Sequence, residues 1–363
     1  MIRGASGQHA AMQMPSDAPL ALPPHGTTVD APPLPPATSP DSAVRTCAVY
    51  RDGMREEITI DAISDVLAVD DGSFVWVGLY RPPSSLLAKL QEEFGLHDLA
   101  VEDAEHAHQR PKIEAYGNTL FIALHTAQRM DDTVGFGETH IFLGPRFLVT
   151  VRHGASLSYR SVRERFERDP ELLVQGPAFA LYGVLDFIVD NYRPIVDGFS
   201  DTLDHLERDI LSTRYRRETI VHLYALRKEL TRLRLAVAPL QDILAQLART
   251  PQARICDEAR LYYRDVLDHV VRLNEAIDTQ REMLAAAMNV NLALVTIHQG
   301  EVVKRLAGWA ALLAAPTLVT SWYGMNFRHM PELAQPHAYA ILIATLAVVC
   351  GGLYLYLKKV GWL

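Results

Sequence analysis

The run Tyr323 to Leu333, YGMNFRHMPEL, sets the Gly324 carbonyl, the Asn326 amide and the Glu332 carboxylate just beyond an uncharged segment that carries Thr317, Thr320 and Ser321. Neutral oxygens so placed can hydrogen-bond the first-shell waters of a hard cation such as Mg2+, which sheds its hydration reluctantly and prefers octahedral oxygen coordination. Met325 offers only a thioether sulfur, a poor partner for such an ion, and is expected to pack. The competing reading is that the hydroxyls bond back to their own helix and Asn326 caps it. A second constellation, Glu102, Asp103, His106 and His108, falls within seven residues. A helix would put Glu102 and His106 on one face, as a metalloenzyme site would need. No nucleophile motif, P-loop or zincin pattern accompanies it, and Arg110-Pro111 follows, where helix ends commonly carry polar residues.

These groups need elements to hold them, and the charge pattern says which. The 363 residues carry a net charge of -8. Residues 301–363 hold five basic residues and two acids, which leaves -11 for residues 1–300. An acidic body with a nearly uncharged, mildly basic end argues against a nucleic-acid partner. Leu306 to Phe327 is a 22-residue stretch without formal charge, and Leu333 to Leu357 is a 25-residue stretch interrupted only by His337. Both exceed the ~20 residues that cross a bilayer core. Lys304 and Arg305 precede the first and Lys358 and Lys359 follow the second, so both termini and the acidic body are expected on the cytoplasmic side. Arg328 in the short outer loop opposes that assignment but is outnumbered.

Ahead of the spans, nine of the 21 prolines crowd between Pro15 and Pro40, which reads as a disordered tail over residues 1–43. Short segments rich in β-branched and aromatic residues follow at Thr46–Arg51, Phe74–Leu79, Leu120–Thr126, Glu138–Leu143 and Phe147–Val151, and helical patterns at Ser84–Phe94 and Asp98–His106. Residues 44–154 are therefore expected to form a mixed α/β domain and residues 155–250 its helical part, with kinks at Pro194 and Pro239. Residues 251–305 read as a long stalk helix whose apolar positions, Val270, Leu273, Ile277 and Leu284 among them, step by three or four. A pore-lining transmembrane helix 306–327, an outer loop 328–337, a second transmembrane helix 338–357 and a basic end 358–363 complete the chain. Cys47, Cys256 and Cys350 are too few and too scattered for a disulfide framework.

The YGMNFRHMPEL run resembles the signature that ends the first transmembrane helix in the CorA family of magnesium transport proteins. Phe94 to Glu114 (FGLHDLAVEDAEHAHQRPKIE), Tyr263 to His269 (YRDVLDH) and the Lys358-Lys359 to Trp362-Leu363 end agree with the same family in the same order. The resemblance implies a funnel-shaped homopentamer: an α+β cytoplasmic domain in the manner of a mixed α/β sandwich, a long stalk helix and two C-terminal transmembrane helices. It implies transport of divalent cations, Mg2+ first with Co2+ and Ni2+ as further candidates, across the inner membrane through a pore gated by cytoplasmic Mg2+. The partners are other copies of the chain, membrane lipid and the ions, and no enzymatic activity is expected. Residue by residue, Gly324, Met325 and Asn326 match the selectivity filter. Thr317, Ala314, Leu306 and Gly300 match positions along the pore, and Asp103 and Asp265 match a regulatory metal site between protomers, with Glu102 and Asp268 adding charge. Many relatives have a bulky apolar residue where Ala314 stands, an Asn where Gly300 stands and an acid near Arg328 and His329. The constriction is then wider or moved to Leu313, and Glu332 alone supplies the cation-attracting charge at the mouth. Three alternatives stay open on the sequence: a zinc transporter of the same superfamily, a membrane-anchored metal-binding enzyme, and a scaffold with two anchors and no conduction.

Overall fold

A computed structural model describes residues 40–107, 109–130, 133–212, 217–249, 255–325 and 336–363, without the side chains of residues 40, 41 and 217. In chain order the elements are α1 (Pro40–Ala43), β1 (Val44–Arg51), β2 (Met54–Glu57), α2 (Ile63–Ala68), β3 (Phe74–Tyr80), α3 (Ser84–Phe94) and α4 (Asp98–Glu105). Then come β4 (Lys112–Tyr116), β5 (Thr119–Met130), β6 (Thr133–Leu143), β7 (Phe147–Gly154), α5 (Arg160–Glu167), α6 (Pro170–Val174), α7 (Pro177–Leu211), α8 (Arg217–Arg249), α9 (Asp257–Tyr323) and α10 (Ala338–Lys359). The described residues up to 285 form one compact unit, and residues 286–325 and 336–363 group in a second.

The first unit is built on a seven-stranded sheet of order β2-β1-β3-β7-β6-β5-β4. Only β3 and β7 run parallel, joined through α3, α4 and the β4-β5-β6 meander. Alternation along each strand decides what it faces. Val75, Val77, Phe121, Ala123, Phe142, Val149 and Val151 pack with Leu86, Leu90, Phe94, Ala100 and Ala104 of α3 and α4. The residues between them point the other way: the Arg163 guanidinium of α5 lies 5.9 Å from the Trp76 ring, and Thr139 Oγ1 is 2.7 Å from the Tyr159 hydroxyl. The sheet is thus a central layer between helices, as an α/β sandwich requires.

The edge strands β2 and β4 are absent from the sequence-based expectation. β2 is fully exposed and β4 half-buried, so neither shows the apolar alternation that marks a strand. The helical part opens with two short helices: α5 stops at Glu167 and Pro170 opens α6, because a proline is accommodated in a first helical turn and not further in. α7 and α8 run on through Pro194 and Pro239. The tail drawn over residues 1–43 falls mostly outside the described residues, and its last residue, Ala43, is fully buried against the sheet.

Within this unit α7 packs beside α8 and the first part of α9. Tyr263 Oη donates to the Ala178 carbonyl at 2.6 Å and Gln280 Nε2 to the Val196 carbonyl at 2.8 Å, while Arg234 of α8 pairs with Asp278 of α9 at 2.8 Å. Buried polar groups are affordable in such a bundle only when paired, and these bonds fix the register of α9 against its neighbours.

Candidate ion pathway and regulatory site

In the second unit the last turns of α9 carry residues expected to line a pore. Thr317 Oγ1 donates to the Leu313 carbonyl at 2.7 Å, and Thr320 Oγ1 lies 3.0 Å from the carbonyls of Pro316 and Thr317. Back-bonding is thus what the hydroxyls do in the single chain. A hydroxyl that spends its proton on the backbone keeps its lone pairs outward and can act only as an acceptor, which is what the waters of a hydrated cation need. Gly324 closes the helix, its N–H donating to the Thr320 carbonyl at 3.0 Å, and Met325 follows with a 3.3 Å bond to the Trp322 carbonyl. Asn326 and Glu332 lie outside the described residues, as do Arg328 and His329. Gly300, Leu306, Ala314 and Thr317 are all exposed in the single chain, and Leu306 keeps 69% of its surface.

The apolar stretches of α9 and α10 are each long enough to cross a bilayer, and almost none of either is buried within the chain. Apolar surface on that scale is stable only against lipid or other copies of the chain. The two spans meet near their basic ends: the space a Cβ on Gly308 would take is 3.2 Å from the Trp362 carbonyl oxygen. Lys304 and Arg305 therefore lie on the same side of a membrane as Lys358 and Lys359.

In the first unit Asp103 sits on α4, its Oδ2 2.7 Å from Lys112 Nζ, which also reaches Glu114 at 2.9 Å. Burial works against the ammonium, but the hydrogen bonds to Asp103 and Glu114 outweigh it and hold Lys112 above the ordinary lysine range. Glu102 is exposed one residue earlier. Among the described residues no hydrogen bond or ion pair joins Asp103 to Asp265, which lies exposed on α9 with Asp268. Of the rival enzyme set, His108 lies outside the described residues and His106 directs Nδ1 to the Glu102 carbonyl oxygen at 3.0 Å, the behaviour of a helix-end residue.

Sequence reasoning missed the group that the structure does bring together. Asp186 and Asp190 of α7 and His269 of α9 place ligand atoms within 4.8 Å of one another, one helical turn from Asp265. Asp186 is buried and bonded to Arg165 at 3.1 Å. Burial first, and then the Asp186 charge, push the Asp190 carboxyl above its ordinary range, against the opposing influence of His269. Tyr182 is raised by burial and by the charges of Asp186 and Asp265, so those two carboxylates share one electrostatic neighbourhood. The available signal was spacing: Asp186/Asp190 and Asp265/His269 are both i,i+4 pairs.

Two long unburied spans after an α/β domain define a membrane protein with a large folded domain ahead of its spans. Residues 71–359 match the family of CorA-like Mg2+ transporter proteins, and the chain belongs to it. It is 29% identical over 315 residues to the cobalt/magnesium transport protein CorA of Thermotoga maritima, covering 85% of this chain and 89% of the relative. The complete structure of the CorA magnesium transporter from Methanocaldococcus jannaschii superposes with a TM-score of 0.73 at 21% identity, over 88% of this chain and 99% of the other. The cytoplasmic domain of ZntB from Vibrio parahaemolyticus RIMD 2210633 is similar in fold at a TM-score of 0.56 and 14% identity, covering 70% of this chain and 98% of that one. The α+β domain, long helix and two C-terminal spans are thus the architecture of the complete CorA structure. The chain is a divalent-cation transporter of the inner membrane, and the magnesium/cobalt reading stands ahead of the zinc one.

Proposed function

We propose that copies of this chain assemble into a homopentamer whose α9 helices line a pore for hydrated Mg2+, with Co2+ as a second ion, and that cytoplasmic Mg2+ closes it. The observation that carries this reading is that one uninterrupted helix, α9, bears Asp265 and His269 near its start and Thr317 in its last turns, with Gly324 and Met325 directly after it. A cation held at the first set therefore acts on the element that forms the second. Symmetry-related Asn326 amides and Gly324 carbonyls form the outer ring, Met325 packs between them, and Glu332 draws cations to the mouth. Thr317 receives the waters of the ion, while Leu306 and Ala314 narrow the path above the entrance at Gly300. Asp103 of one protomer and Asp265 of the next, helped by Glu102, Asp268, Asp186, Asp190 and His269, hold the regulatory ion. Metal-free carboxylates repel and loosen the assembly, and a bound cation bridges them.

The test is Mg2+ uptake by liposomes holding the full-length protein. Asn326→Ala should abolish uptake while the oligomer persists on size exclusion. Gly324→Ala should do similar harm through the added Cβ, whose nearest neighbour is the Thr320 carbonyl oxygen at 3.3 Å. Parental uptake by correctly inserted Asn326→Ala protein would remove the pore assignment.

A further inference from the structure

Away from the pore and from the α7–α9 acids, the middle of the sheet holds an unusual polar group. Glu138 and His140 on β6 point to the same face, beside His125 of β5 and His153 of β7 in the ladder. Glu138 is 7% exposed and His140 not at all. Among the described residues neither ring nitrogen of His140 has a hydrogen-bond partner, and its Nε2 lies 3.4 Å from Glu138 Oε2. The His140 and His153 ring centroids are 5.4 Å apart. Beside them opens a cavity of about 340 Å3, lined in part by Glu138, His125 and His153.

A buried imidazole with two idle nitrogens is costly, and the remaining side of this face is apolar: Phe121, Ala123, Phe142 and Val151. We propose that Glu138, His140 and His153 form a binding site for a borderline divalent cation, of the Co2+ or Zn2+ class, distinct from the oxygen-rich site for Mg2+. The donor set selects the ion, because imidazole suits these metals and Mg2+ favours oxygen alone. The spacing fits as well: two ligands on a tetrahedral ion with bonds of 2.0–2.1 Å are ~3.4 Å apart, the separation between His140 Nε2 and Glu138 Oε2. His153 Nε2 lies 2.9 Å from the Ala104 carbonyl, so completing the set requires the ring to leave that bond and turn toward Glu138, with which it lines the cavity. Glu138 Oε2 also accepts the Gln109 N–H at 3.2 Å, the type of outer bond that orients a ligating carboxylate. Arg232 lines the same cavity, but its guanidinium stacks on Phe136 at 4.7 Å and bonds to Glu229 at 3.4 Å. The site does not depend on the pore or on Asp103.

The experiment titrates tag-free, full-length protein with Co2+ in detergent, in the Asp186→Asn/Asp190→Asn background so that the α7 cluster is silent. One Co2+ per chain should bind with two imidazoles in its X-ray absorption spectrum, and His140→Gln or His153→Gln should each weaken it at least tenfold. His140 is wholly buried; should His140→Gln fail to fold, His153→Gln and the imidazole count decide. Unchanged Co2+ affinity in the foldable variants, or a spectrum of oxygen ligands only, overturns the site.

Discussion

Lys112 Nζ stands 2.7 Å from Asp103 Oδ2, so the carboxylate assigned to a regulatory cation already holds a side-chain cation. Metal and lysine then compete for one oxygen. Lys112→Met should let Mg2+ protect the cytoplasmic domain from protease at a lower concentration, by about two- to fivefold, the worth of a partly exposed ion pair. An unchanged midpoint would mean that Asp103 does not meet the ion.

Asp103 and Asp265 are 162 positions apart, and in the proposed assembly a neighbouring protomer brings them to one ion. The double variant Asp103→Asn/Asp265→Asn should lose Mg2+-dependent protease protection and inhibition by cytoplasmic Mg2+ while uptake persists. Asp265→Lys should instead favour the closed form, because the new ammonium replaces the metal, although desolvation offsets part of the gain. Full protection of the double variant at the parental Mg2+ concentration would reduce both residues to ordinary surface acids.

Burial and the Asp186 charge hold the Asp190 carboxyl above its ordinary range. An acid whose folded-state pKa lies above its unfolded value contributes stability that is present below the ordinary carboxylate range and lost as pH rises through the folded value. As pH rises through that value the folded protein has to ionise Asp190 beside Asp186. Asp190→Asn should raise the apparent Tm at pH 7 by roughly 1–2 °C, a small figure because the side chain is exposed and screened, and should change nothing near pH 3. Added Mg2+ should stabilise the parent more than the variant. Equal Mg2+ stabilisation of both would take Asp190 out of the site.

How much of this was legible in the sequence depends on which force placed each residue. The central strands announce themselves because both faces are buried: β3 is buried at every position. The edge strands β2 and β4 pair through the backbone while their exposed or half-buried side chains show no apolar alternation for a pattern to record. The two spans and their orientation followed from missing charge and from four basic residues. Asp103 and Asp265 emerged from motif resemblance. Asp186 and Asp190 did not, because they interrupt the apolar face of α7, and only the packing of α7 on α9 shows His269 opposite them. Glu138 and His140 likewise read as an ordinary strand alternation until burial exposes the idle nitrogens of His140.

After α10, Gly361 takes a φ of +76°, its N–H donates to the Lys358 carbonyl at 3.2 Å, and Trp362 N–H donates to Leu357 at 2.9 Å. This paired termination turns Trp362 and Leu363 back toward α9, where Gly308 leaves room for them: a Cβ there would lie 3.2 Å from the Trp362 carbonyl and 3.4 Å from the Leu363 side chain. Gly361→Ala forces a side chain into the left-handed region at a cost of about 1 kcal/mol, and Gly308→Leu fills the seat that the turned end occupies. Each should lower the temperature at which the detergent-solubilised oligomer dissociates. Because both act on one contact, the double variant should fall less than the sum of the single changes. Strict additivity, to within about 0.5 kcal/mol, would mean that the C-terminal turn and Gly308 are independent features and that the end of the chain does not hold the two spans together.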